Sequence, residues 1–150
     1  MSKYIIDFKI EGMRELHKSL EKLGSVPQKH VTASARKGMN IPLKAAKAAA
    51  PVDTGNLRKG IILKGERSRY KGKKVYRIVF DPAMNDVFQK YGGYYPVSQE
   101  YGYFTRDGRY MPGLMFIHKA LQGNTGALTK TMVDTMKKKI DAEIAKGGLR

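Results

Sequence analysis

The sequence predicts an α+β fold in which a small antiparallel sheet packs against two or three helices. Three observations point there. Period-two alternation is confined to short runs. The cleanest is 75–80, with Val75, Arg77 and Val79 on one side and Tyr76, Ile78 and Phe80 on the other. Elsewhere apolar residues recur every three or four positions, as in Leu128, Met132, Val133, Met136, Ile140 and Ile144. Finally, 150 residues with no internal repeat and no low-complexity linker are the length of one domain, 1–150.

The elements follow in order. In Tyr4–Ile10, the residues Ile6, Phe8 and Ile10 share one side, which suits a half-buried strand. After Gly12, the residues Met13, Leu16, Leu20 and Leu23 form the stripe of a first helix, closed by Gly24 and Pro27. Residues 28–50 make a second, alanine-rich helix. Pro42 is expected to kink or break it, and Pro51 to end it by pushing Ala50 out of the α region. Strands are expected at Ile61–Lys64 and Val75–Phe80, with Arg67–Lys74 connecting them. The stretch Asp81–Gly102 is interrupted by Pro82, Gly92, Gly93 and Pro96 and gives no clear element. Phe104–Tyr110 contains Asp107-Gly108, a hairpin turn signal. Leu114–Leu121 suits a short helix stopped by Gly123-Asn124, and Thr125 or Gly126 opens a last helix that runs to Lys146.

Composition narrows the function. With 41% apolar and 28% charged residues the chain resembles soluble globular proteins. It has no cysteine, which excludes disulfides, thiolate metal sites and cysteine nucleophiles. Lys3, Asp7 and Lys9 break any apolar signal core, and no run approaches the roughly 18 apolar residues of a membrane span. The expectation is a protein kept inside a cell, or inside something assembled there, without a membrane partner. The formal charge is +16. Basic residues outnumber acidic ones 10 to 4 in residues 1–50, 10 to 5 in 51–100 and 9 to 4 in 101–150, so the excess belongs to the body and not to a tail. Such a field favours polyanionic partners: nucleic acid, an anionic membrane or an acidic protein surface.

The most distinctive text is Pro51-Val52-Asp53-Thr54-Gly55. Asp-Thr-Gly is also the tripeptide of aspartic proteases, which need two adjacent Asp sharing a proton and place the tripeptide after a buried strand. Here Ala- and Lys-rich helical text precedes it. The local reading is a helix stop and a capped turn, in which Asp53 or Thr54 accepts backbone N–H bonds, Gly55 relaxes the backbone and residues 56–59 make a short turn.

The longer segment 49–61, Ala-Ala-Pro-Val-Asp-Thr-Gly-Asn-Leu-Arg-Lys-Gly-Ile, resembles the signature of a neck and tail-completion family of long-tailed bacteriophages and prophages, with Gly60 where Ser is usual. Glu100-Tyr101-Gly102 resembles that family's E-x-G element, with Tyr103 where Thr is common. Pro112–Phe116 followed by Ala120-Leu121 resembles its closing segment, with Lys119 in place of a frequent proline. The resemblance implies a structural role without catalytic residues, cofactor or metal. It implies a virion protein, made in the host bacterial cytoplasm, at the head–tail junction or the top of the tail. There it would form a ring, often of six subunits, among neck, connector or tail-tube proteins and around the DNA channel. Pro51, Asp53, Thr54, Gly55, Leu57 and Arg58 would form a rigid corner between helix and sheet.

Two further clusters stand out. Nine basic residues lie between Arg58 and Arg77 against one acid, Glu66. Among them Arg67, Arg69, Lys71, Lys73 and Lys74 sit on the connection, suited to DNA passing without sequence specificity or to an acidic partner, and equally to a solvated hairpin tip. Six of the nine tyrosines, Tyr91, Tyr94, Tyr95, Tyr101, Tyr103 and Tyr110, fall within twenty residues. Tyrosine is enriched at interfaces, so these suit a subunit contact or packing over a sheet; in the first case deleting Tyr91–Tyr95 leaves the fold intact. His17, His30 and His118 lie far apart with no carboxylate at ligand spacing. No Ser–His–Asp arrangement, P-loop, dinucleotide fingerprint or base-reading motif is present. The alternative to a phage ring subunit is a small, basic, sequence-independent nucleic-acid-binding protein.

Overall fold

The structure is a computed structural model that describes residues 13–67, 74–90 and 92–146, with side chains from Gly24 onward except that of Pro27. The expected strand Tyr4–Ile10 lies outside the described residues. Helix α1 (Met13–Ala49) is followed by the single turn α2 (Asn56–Gly60) and the strands β1 (Ile61–Gly65) and β2 (Tyr76–Phe80). A 3-10 turn, Pro82–Met84, leads into α3 (Asn85–Phe88) and α4 (Tyr95–Tyr101). The short strands β3 (Gly102–Phe104) and β4 (Tyr110–Pro112) precede α5 (Phe116–Gly123) and α6 (Thr125–Ala145). The class is α+β as expected, with the strands in two antiparallel two-stranded ribbons, β1–β2 and β3–β4.

The main departure is α1. Two helices separated at Gly24 and Pro27 were expected, with Pro42 as a further break. Instead one helix of 37 residues, about 55 Å long, runs through all three positions. A proline inside a helix costs ~3 kcal/mol through its lost hydrogen bond and its clash with the carbonyl four residues back. At Pro42 that carbonyl belongs to Gly38, the residue type with the most freedom to adjust. Pro42 is itself fully buried, and α1 packs along α6 and α5, so tertiary burial outweighs the local cost. At Gly38 α6 comes so close that a β-carbon would meet Met132 and lie 3.1 Å from the Leu128 carbonyl oxygen.

On α6, Leu128, Met132, Met136 and Ile140 are half-buried towards α1, but Val133 (59% exposed) and Ile144 (43%) fall off the expected stripe, and Thr135 takes a buried place on it. Met132, Met136 and Ile140 line, with Val31, an open apolar groove of about 450 Å³.

The core lies where α1 ends. Ala50, Leu57, Ile61 and Phe116 are buried together, with Leu43, Ile78, Phe80 and Ile117 packed around them. The β1–β2 register pairs Ile61 with Phe80 and Leu63 with Ile78, so the Tyr76–Ile78–Phe80 side of the alternation is the one that supplies the core. Phe80, Phe88, Tyr94 and Phe116 meet edge-to-face at centroid distances of 5.8–6.5 Å. That cluster ties α3, α4 and α5 to the first ribbon.

Candidate functional site

The Pro51–Arg58 corner is built from backbone outward. Ala50 closes the last turn of α1 by donating to the Ala46 carbonyl at 2.9 Å, and Pro51 prevents another turn. The Thr54 hydroxyl accepts the Asn56 N–H at 3.4 Å; of the two expected caps it is Thr54, and not Asp53, that serves. Gly55 adopts φ +78°, a left-handed conformation that favours glycine, and its carbonyl accepts the Lys59 N–H at 3.1 Å. This aims Leu57 into the core and leaves Arg58 exposed. Gly60 ends α2 beneath the Phe88 ring, where a β-carbon would collide with the ring edge, and its carbonyl accepts the Asp81 N–H at 2.7 Å. Asp53 is exposed and follows a helix, so the buried strand that precedes an aspartic protease tripeptide is not there.

The outer side of this corner is one wall of a groove of about 500 Å³. Pro51, Asp53, Thr54 and Gly55 line it together with Asp86, Val87, Lys90 and Tyr95. Asp53 and Asp86 are both exposed, and neither makes an ion pair among the described residues.

A second constellation explains the E-x-G and Pro-Gly fragments. Glu100 is 2% exposed, and its two carboxylate oxygens accept the N–H groups of Ile117 and His118, each at 3.0 Å. The carboxylate therefore sits on the N-terminus of α5, where unsatisfied amides and the helix dipole favour negative charge. Its backbone carbonyl accepts the Met115 N–H at 2.9 Å. Gly102 (φ +92°) and Gly113 make the close approach possible: a β-carbon on Gly113 would collide with the Glu100 carbonyl and the Gly102 amide. Sequence reasoning noted these residues only as family text. A carboxylate followed sixteen residues later by a helix start is not a local signal.

The β3–β4 hairpin projects from this clip. Its loop is a turn over Arg106-Asp107-Gly108, with the Gly108 N–H on the Thr105 carbonyl at 2.9 Å and Gly108 at φ +79°. Phe104 (73% exposed), Tyr103, Tyr110 and Met111 all face solvent, and the Phe104 and Tyr110 rings lie 5.2 Å apart. Of the expected interface tyrosines, Tyr95, Tyr101 and Tyr103 are exposed, and Tyr91 lies outside the described residues. Tyr94 packs on Phe80 and Phe88. Deleting Tyr91–Tyr95 would therefore also remove one ring, Tyr94, of the packed aromatic cluster.

Of the basic connection, Arg69, Lys71 and Lys73 lie outside the described residues and Arg67 is exposed. Lys74 turns back, donating to the Glu66 carbonyl at 2.7 Å and lying 5.6 Å from the Tyr76 ring centre. A basic surface that sequence reasoning missed lies on α1, where Lys29, Thr32, Arg36, Lys37 and Asn40 line a groove of about 440 Å³ closed by Tyr76. Spacings of seven and eight residues put Lys29, Arg36 and Lys37 on one face of the helix expected over 28–50, but the groove exists only because Tyr76, from a strand far along the chain, closes it. Such a face attracts phosphates without reading sequence. Among the described residues no three His, Asp or Glu side chains are grouped to hold a metal ion, and no helix is long and apolar enough to cross a membrane. His30 lies 3.4 Å from Glu143, His118 is exposed on α5, and the side chain of His17 is outside the described set.

The described residues thus present a corner held by its backbone, an open groove, an exposed aromatic hairpin and a basic helix face. Residues 14–102, more than half of the chain, match the family described as "Bacteriophage HK97-gp10, putative tail-component". The chain belongs to that family: it has a phage structural role, as a tail component of the virion, and that membership favours a non-enzymatic role. No curated protein and no solved structure matches the chain.

Proposed function

We propose that the chain is a head–tail joining or tail-completion subunit that assembles as a ring, of six copies, at the neck or the top of the tail around the DNA channel. The observation that carries this reading is the tail-component match from α1 to the start of β3, a span that contains the Pro51–Ile61 corner. The mechanism is geometric. The corner holds the end of α1, the first ribbon and α3 in one arrangement, so each subunit presents the same surfaces to its neighbours and to adjoining neck, connector or tail-tube proteins. The basic face of α1, together with Arg67 and Lys74 of the connection between β1 and β2, lines the passage and holds DNA phosphates weakly and without base specificity. Gold-labelled antibody and electron microscopy of phage particles test this. Label is expected at the head–tail junction or on the upper end of free tails, and label absent from every particle refutes it.

The Lys29–Arg36–Lys37 groove favours a second reading, a basic nucleic-acid-binding protein acting alone. A ring subunit binds DNA weakly as an isolated chain, because its charges act together only around a channel. Tight binding by the isolated chain, falling steeply with salt, would select the second reading.

A further inference from the structure

The hairpin and the corner groove are both left open by their own chain, and their chemistry is complementary. Phe104, Tyr103, Tyr110 and Met111 offer apolar and aromatic surface, and the loop joining their strands carries Arg106 and Arg109 against one acid, Asp107. Contiguous exposed apolar surface of this kind marks an interaction site. The groove offers apolar wall at Val87 and Tyr95, with Asp53 and Asp86 against one base, Lys90. Charge makes the match selective. Copies of a +16 chain repel one another, so a stable contact between them must set acids of one copy against bases of the next. Several acids are already committed within the chain: Glu66 pairs with Arg77 at 2.8 Å, Glu100 holds α5, and Asp81 accepts the Ala83 N–H. Asp53 and Asp86 are exposed, without an ion pair among the described residues, and share one groove.

We infer that the β3–β4 hairpin of one copy docks in the Asp53–Asp86 groove of the next, with Phe104 against Val87 and Tyr95 and with Arg106 and Arg109 facing the two carboxylates. This rests on the ring reading, which it deepens by naming the contact. Hairpin and groove are different patches, so the interface is heterologous, the kind that closes into a ring when the rotation fits.

The test uses the purified full chain, with association followed by sedimentation and native mass spectrometry. Asp86→Lys, the pair Arg106→Asp with Arg109→Asp, and Phe104→Ser are all exposed changes, and unchanged far-UV circular dichroism and melting confirm the fold. Each is expected to weaken self-association at least about tenfold, the effect of removing one well-placed interfacial side chain. Combining Asp86→Lys with the two arginine reversals is expected to restore it. Because the chain has no cysteine, Asp86→Cys with Arg106→Cys is also expected to give covalent oligomers on mild oxidation, while either change alone stops at a dimer. Variants that assemble like the wild type overturn the hairpin–groove contact and leave the ring standing. A wild type that stays monomeric at millimolar concentration, with no oligomer from the double-cysteine chain, also overturns the contact; the gold labelling then decides the ring by itself.

Discussion

Glu100 provides the sharpest test of how this fold is held. Glu100→Gln keeps the size and shape of the side chain and replaces one acceptor oxygen by an NH₂ group. That group would face an α5 amide that is itself a donor, either Ile117 or His118, each now bonded at 3.0 Å. A hydrogen bond to a charged group contributes about 1.5–3 kcal/mol, and a carboxylate at a helix N-terminus adds about 0.3–1 kcal/mol through the dipole. The substitution removes one such bond, weakens the other and removes the charge, so the expected loss is about 2–4 kcal/mol. For a chain of this size that lowers the melting temperature by roughly 5–15 °C. Thermal unfolding followed by circular dichroism measures it. Because Glu100 is 2% exposed, the loss should persist in 1 M salt, where the Debye length is about 3 Å and exposed pairs are screened. Glu66→Gln is the control: it breaks the 2.8 Å pair with Arg77, but Arg77 is largely exposed and Glu66 partly so, and the cost should stay within about 0–1 kcal/mol. A Glu100→Gln chain whose melting temperature stays within about 2 °C of the wild type would refute the clip.

Other consequences follow from close approaches and from charge. Gly113→Ala should be more destabilising than Gly60→Ala in the same melting assay, because its β-carbon meets backbone of Glu100, Tyr101 and Gly102, whereas Gly60 meets a Phe88 ring that can shift; overpacking of the latter kind costs about 1–3 kcal/mol. Leu57→Ala empties a position 3% exposed in the main core and should cost about 2–5 kcal/mol by denaturant titration. Arg36→Gln with Lys37→Gln should leave the melt unchanged and lower the slope of log binding constant against log salt for duplex DNA, by about 0.9 for each phosphate that the two side chains had neutralised.

Much of this fold was legible because its signals are local. The strands around Ile61 and Val79, the stop at Pro51 and the helices after Leu114 and Asn124 each follow from spacing or a single breaker. Two kinds of signal point the wrong way. In Asp81-Pro82 the proline looks like an interruption, yet Asp81 caps a helical turn through the Ala83 N–H at 3.0 Å and Pro82 takes its first position. Pro96 likewise sits in the first turn of α4. Pro42 is the opposite case, a proline inside a helix whose cost is met by packing far away in sequence. The candidate site divides in the same way. The corner is visible as text, but its groove needs Asp86 and Tyr95 from beyond the first ribbon, and the basic face of α1 becomes a groove only through Tyr76 of β2.

The corner serves two sides at once. Its inner face is Leu57, packed with Ala50, Ile61 and Phe116, and its outer face is the Asp53–Gly55 wall of the groove. Only a few residues separate them, with Gly55 held left-handed between, so the position of the wall is set by the core and not by a free loop. A change at Leu57 must therefore alter both stability and the shape of the groove, whereas a change at Asp53 or Asp86 alters only what the groove attracts. A catalytic tripeptide would give a different pattern, because its carboxylate would need burial and a partner that Asp53 does not have among the described residues. The text that stands out most in this sequence is thus explained by the demand for a fixed surface next to a core.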